Sequence, residues 1–363
     1  MGEPASQAYL EPMSRPTGKK SRIASIEWMR TIAAFEVVLT HSNWGNLAHQ
    51  AGGVWWIVYV LEKQASPLVI AFFGLSAGYF FGNRIRTEIN PGHVFSVYAK
   101  RVFSMYAFWS LVYLLLPSNP MDILRTGWLP IIASKFSALV THPAGLISGG
   151  KFHLWFFSSM LMGLALVRLF LSRSQAILFA VSVMFYGLFL LARSYSFLPA
   201  RLGISTAFYQ PVSMLFYVPV FFSAGWLLSS GKFSVKSSLA VSMMGVGFGV
   251  YVIEYYVLKK VLLVNLNPLY HIQLIGTLIA GIGFFLFLLS AKSRSQSSSF
   301  SRIGRYTLGV YACHMVFMDL FVPLKERFHS MPVEIACAVL VWALSLGTTI
   351  ACSKNRFLKR FFV

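Results

Sequence analysis

Charge is scarce in this chain, and acidic charge scarcest: 11 Asp and Glu stand against 31 Lys and Arg among 363 residues. The charged fraction of 12% is about half that of a soluble domain of this length, which excludes a water-soluble globule. There are only three cysteines, and Cys313, Cys337 and Cys352 all lie in or beside apolar runs. Their placement indicates neither a disulfide framework nor a metal-ligand spacing. No Walker loop, dinucleotide glycine fingerprint or zinc spacing occurs, so nothing indicates ATP-driven transport. No inverted internal repeat of the kind found in secondary transporters is evident either.

What fills the chain is apolar: 56% of residues are hydrophobic and 16% aromatic. Repeated runs are long enough to cross ~30 Å of hydrocarbon. The fold class expected is therefore all-α and integral to a membrane, a polytopic bundle of about ten transmembrane helices. The spans fall near 24–44, 64–82, 102–117, 153–171, 175–192, 209–229, 237–258, 272–290, 305–323 and 333–352. The segment 121–140, with Pro130 and mixed polarity, reads as re-entrant or interfacial. Residues 1–21 read as a disordered tail without a signal-peptide core, residues 22–352 as the transmembrane domain, and 353–363 as a basic tail. No further soluble domain is expected.

The net charge of +20 raises nucleic acid as a partner, but the cations flank apolar spans and form no single patch. Anionic lipid and phosphate-bearing ligands suit them better. With the N-terminus inside, cytoplasmic segments hold about twice as many Lys and Arg as the opposite side, so both termini are expected in the cytoplasm.

One pair of residues stands out. Arg30 and His41 are eleven positions apart in the first span, which on an ideal helix leaves them about 20° apart in azimuth and ~16 Å apart along the axis. Ionisable groups inside a membrane span mark functional sites. A cation near the helix mouth and an imidazole deeper on one stripe suit an anionic ligand with a proton acceptor at its far end. Arg30 either snorkels to headgroups or holds phosphate with its forked donors. Glu27, one turn earlier, pairs with Arg30 at the helix start or orients it. Glu36, about 120° away in azimuth, is expected to face another helix in a structural pairing.

Four stretches carry a resemblance. Glu27-x-x-Arg30 with His41 resembles the first-helix signature of the membrane acyltransferase-3 family. Phe72-Phe73-Gly74-Leu75-Ser76-Ala77-Gly78-Tyr79 is similar to its second-helix segment, His153-Leu154-Trp155-Phe156-Phe157 to its H-LWF segment, and 303–314 to a late helix ending in His314. The order and spacing match over about 22–352. Departures are Glu27 where Asp is common, Ala77 within the Ser-Gly pair, and Ser104 and Ala107 in place of later members of an R-x-x-R-x-x-P pattern begun by Arg101.

The resemblance implies transfer of an acyl group, usually acetyl from cytoplasmic acetyl-CoA, to a hydroxyl of an exported or cell-surface polysaccharide or its lipid-linked precursor. The setting it implies is the bacterial inner membrane, with acetyl-CoA as co-substrate and no resident cofactor or metal. His41 acts as general base or carries the acyl group covalently. Arg30, Ser76, Arg101 and Arg305 are the residues expected to bind acyl-CoA. The stretch around Ser76 serves either close helix packing or a slender pantetheine arm. His153 and His314 either pack within the bundle or line the site on the acceptor side. Asp319 is expected to pair with Lys325, and Glu254 to lie with Lys259 and Lys260 at an interface. Succinyl transfer, and a carbohydrate or lipid-linked sugar exporter without chemistry, are the alternatives.

Overall fold

The computed structural model describes residues 23–42, 44–171, 173–206, 212–231, 236–262, 273–291 and 299–363. The expected tail over 1–21 lies outside the described residues, as do 209–211 and 272 at the edges of two expected spans. The architecture is helical throughout, with no strand among the described residues.

Eleven helices carry it: α1 Ala24–Thr40, α2 Gly53–Thr87, α3 Pro91–Leu115, α4 Trp128–Thr141, α5 Trp155–Phe170, α6 Gln175–Ala192, α7 Val218–Leu228, α8 Ser237–Tyr256, α9 Ile275–Ser290, α10 Thr307–Leu320 and α11 Met331–Lys354. Among the described residues, five stretches are long and apolar enough to cross a membrane: Gly53–Thr87, Phe152–Phe170, Gln175–Ala192, Ser237–Lys260 and Met331–Lys354. Large apolar side chains on the outer faces of α8 and α11, such as Val246, Phe248, Val339 and Leu340, are exposed. Such a surface suits lipid, not water.

The interior is organised around α7, which packs on α2, α5 and α6. Helices α2 and α7 meet backbone to backbone. A methyl group at Gly78 would strike the Phe222 carbonyl, and one at Gly225 would strike the Leu75 carbonyl. Small residues permit this approach where helices have no water to drive them together. In α2, then, Gly74 and Gly78 serve close packing, while the intervening Ser76 and Ala77 turn to a cavity.

Three expectations are corrected. The first helix stops at Thr40, short of 44, and His41 is its cap residue (φ −88°, ψ −4°). The Ser42 hydroxyl bonds back to the Leu39 carbonyl at 2.6 Å and Lys63 Nζ takes the Thr40 carbonyl at 3.3 Å, so side chains satisfy the last turn. Asp319 pairs with Lys151 at 2.8 Å, because the segment before α5 reaches it first. Lys325 is carried on the short helix Val322–Arg327 to Glu334, at 2.9 Å. Glu254 is no snorkelling anion. It accepts the Ile275 N–H at 2.8 Å and the Gly276 N–H at 3.1 Å, closing the first turn of α9.

Candidate active site

Helix α1 lies against α2, α10 and α11. It runs antiparallel to α2: Arg30 sits over the Phe80 ring at 5.5 Å, while Ser66, which precedes Phe80 in α2, donates to Glu36, which follows Arg30 in α1, at 2.8 Å. Between α1, α2, α3, α5 and the start of α10 opens a cavity of about 910 Å³. That is within the usual range for a small-molecule site of ~300–1,000 Å³. Arg30 and His41 both line it, as the spacing of the two residues requires.

Near the start of α1 the lining is cationic, with Arg30, Arg101 and Arg305. Glu27, itself buried, accepts from Arg30 Nη1 at 3.2 Å, which fixes the guanidinium. Arg30 Nε is buried and makes no hydrogen bond among the described residues. An unmet buried donor on a charged fork suits an anionic ligand atom. Arg101, one turn after Tyr98 on α3, lies within electrostatic range of Arg30 and Arg84. Arg305 reaches the cavity from the turn before α10, where Gly304 lies against Glu27. Arg84 and Arg86 are otherwise engaged, with Glu88 and with Ser229 and Trp226.

The middle of the cavity is narrow in chemistry: Phe73, Ser76, Ala77, Phe80 and Phe156. Ser76 is buried and its hydroxyl bonds the Phe73 carbonyl at 3.1 Å.

At the far end three imidazoles gather. His41 stacks on His314 with centroids 5.4 Å apart, and His153 lies 5.0 Å from His314 and 6.5 Å from His41. His314 is fully buried, with Nδ1 2.7 Å from the Tyr311 carbonyl oxygen. It supports His41 from behind and does not line the cavity. His153 does line it, with 1% of its surface exposed and neither ring nitrogen hydrogen-bonded. Among the described residues no group of three His, Cys, Asp or Glu could hold a metal ion.

Sequence reasoning missed part of this end. Glu36, assigned to structural pairing, does face α2, but it also lines the cavity together with Thr40 and Ser66. Its spacing to Thr40 was the available signal, since i and i+4 share a helix face. Arg193, Ser194 and Gln273 complete the lining here, with Arg193 Nε bonded to Ser213 at 3.3 Å and Ser194 to the Gln273 carbonyl at 2.7 Å.

A family model described as an acyltransferase domain matches residues 23–352. Comparison with curated proteins and with solved structures gives no match.

Proposed function

The chain belongs to the acyltransferase-3 family and is a multi-pass membrane protein; on that premise we propose that it is an O-acetyltransferase of an exported or cell-surface polysaccharide, or of its lipid-linked precursor. Acetyl-CoA is the donor and enters from the cytoplasm. About ten helices cross the bacterial inner membrane, with both termini in the cytoplasm. The observation that carries the reading is the joint presence of Arg30 and His41 in one cavity of about 910 Å³.

The phosphates of coenzyme A lie among Arg30, Arg101 and Arg305, where forked guanidinium donors meet anionic oxygens. The pantetheine arm passes Ser76 and Ala77. The rise of ~16 Å between Arg30 and His41 is comparable with the reach from phosphates to thioester. His41 takes the proton of the acceptor hydroxyl as its oxygen attacks the thioester carbonyl. The tetrahedral intermediate collapses, the C–S bond breaks, and the leaving thiolate recovers a proton from the imidazolium. An O-acetyl ester and free coenzyme A result. Acceptor and donor approach from opposite ends of the cavity.

Purified protein in lipid nanodiscs, given radiolabelled acetyl-CoA and envelope carbohydrate from cells that lack it, tests this. Transfer of label to carbohydrate as an alkali-labile ester is the expected outcome. A carrier without chemistry consumes no acetyl-CoA, and that result removes the proposal.

A further inference from the structure

Glu36 is a cavity group to which the reaction above gives no task. Ser66 Oγ donates to its Oε1 at 2.8 Å, across from α2. Thr40 Oγ1 stands 2.8 Å from Oε1 of both Glu36 and Glu62, and its single proton serves one of them at a time. The nearby cation is committed elsewhere, since Lys63 pairs with Glu62 at 3.4 Å and bonds the Thr40 carbonyl. The Glu36 carboxyl is thus held in place through one oxygen. Among the described residues no hydrogen bond reaches the other, Oε2, although Glu36 lines the cavity.

A second observation falls at the same end. His153 is buried and lines the cavity, and among the described residues neither of its ring nitrogens makes a hydrogen bond. Buried polar atoms rarely stay unmet, and a ligand that supplies donors and acceptors would satisfy both groups. A phosphate-bearing ligand does not suit a carboxyl oxygen. A neutral polyol does, because each hydroxyl both donates and accepts.

We infer that the His41 end of the cavity is the acceptor subsite, in which Glu36 Oε2 accepts a hydrogen bond from a hydroxyl of a neutral sugar unit and His153 contacts a neighbouring one. The hydroxyl to be acylated then faces His41, which follows Thr40 directly in sequence. Glu36 is an acceptor-binding residue, fixed by Ser66 and Thr40. The two substrates then occupy opposite ends of one channel, phosphates among Arg30, Arg101 and Arg305 and the polyol beside Glu36 and His153. This rests on the acetyltransferase reading above.

Two-substrate kinetics in nanodiscs test it, with radiolabelled acetyl-CoA as donor. The acceptor probe is envelope carbohydrate from cells lacking the protein, stripped of esters by mild alkali. For Glu36→Gln, nearly the same in shape, the apparent KM for carbohydrate should rise about tenfold, as loss of one buried hydrogen bond implies. The KM for acetyl-CoA should stay within about twofold, since Glu36 touches no part of the donor. Ser66→Ala should raise the carbohydrate KM in the same direction by less, because it loosens the carboxyl without removing it. Unchanged carbohydrate KM in Glu36→Gln, or equal rises for both substrates, overturns the assignment. Wild-type protein that transfers no label overturns the acetyltransferase reading, and this inference with it. Active wild type with an indistinguishable Glu36→Gln overturns the subsite alone.

Discussion

Near the start of α1 the cavity wall carries Arg30, Arg101 and Arg305; at the far end of the same helix it carries Glu36, Thr40, His41 and, from neighbouring helices, Ser66 and His153. Both ends draw on the same antiparallel pair, α1 and α2, yet one presents three guanidinium groups and the other hydroxyls, a carboxyl and imidazoles. On the proposed reaction, a single helix then serves two substrates. A cation and an imidazole in helical register, ~16 Å apart, set two chemistries on one line without any loop having to order. At the cationic end Glu27 locks Arg30, and at the other Ser66 locks Glu36. In each case a neutral or opposite partner fixes the group that faces the ligand.

The two ends differ in what a substitution should do. His41→Ala removes the proton acceptor, so the transfer rate should fall by ~10²–10⁴ with folding intact, as checked by initial rates and size-exclusion behaviour. Undiminished transfer would break the distinction between the ends. Arg101→Ala or Arg305→Ala should raise the KM for acetyl-CoA by a smaller factor, about three- to tenfold, because both residues are exposed and their attraction is screened. Added salt should shrink that difference, and a rise in carbohydrate KM instead would misplace the phosphates. Glu254→Ala, at a residue outside the cavity lining, should cost ~1–2 kcal/mol through the lost α9 contacts, read as a lower melting temperature in detergent. Its transfer rate below the transition should match wild type.

The helical class and the Arg30–His41 stripe were legible because both rest on local periodicity. The stretch around Ser76 left close packing and a cavity wall both open; in the fold Gly74 and Gly78 take the first place and Ser76 the second. What escaped was cross-helix pairing. Lys63 is one case, since nothing in its own segment announces that its ammonium, beside Glu62 and the Tyr59 ring, would donate to the Thr40 carbonyl of α1. The stop of α1 at Thr40 escaped for a related reason, as one of its closing groups, Lys63, comes from another helix. Asp319 was given to the nearest lysine in sequence, whereas folding brings Lys151 from 168 residues away. Glu36 has its partner 30 residues on, in Ser66. Its place in the cavity wall could be found only once α2 was in place.

The central claim is that one cavity holds the donor's anionic part at Arg30 and its reacting part at His41. Equilibrium binding of coenzyme A to wild type, Arg30→Ala and His41→Ala in nanodiscs tests it most directly. Arg30→Ala should bind about 30-fold more weakly, the equivalent of ~2 kcal/mol for a lost charge-assisted contact. His41→Ala should bind as wild type does. Equal affinity in Arg30→Ala and wild type would contradict the account.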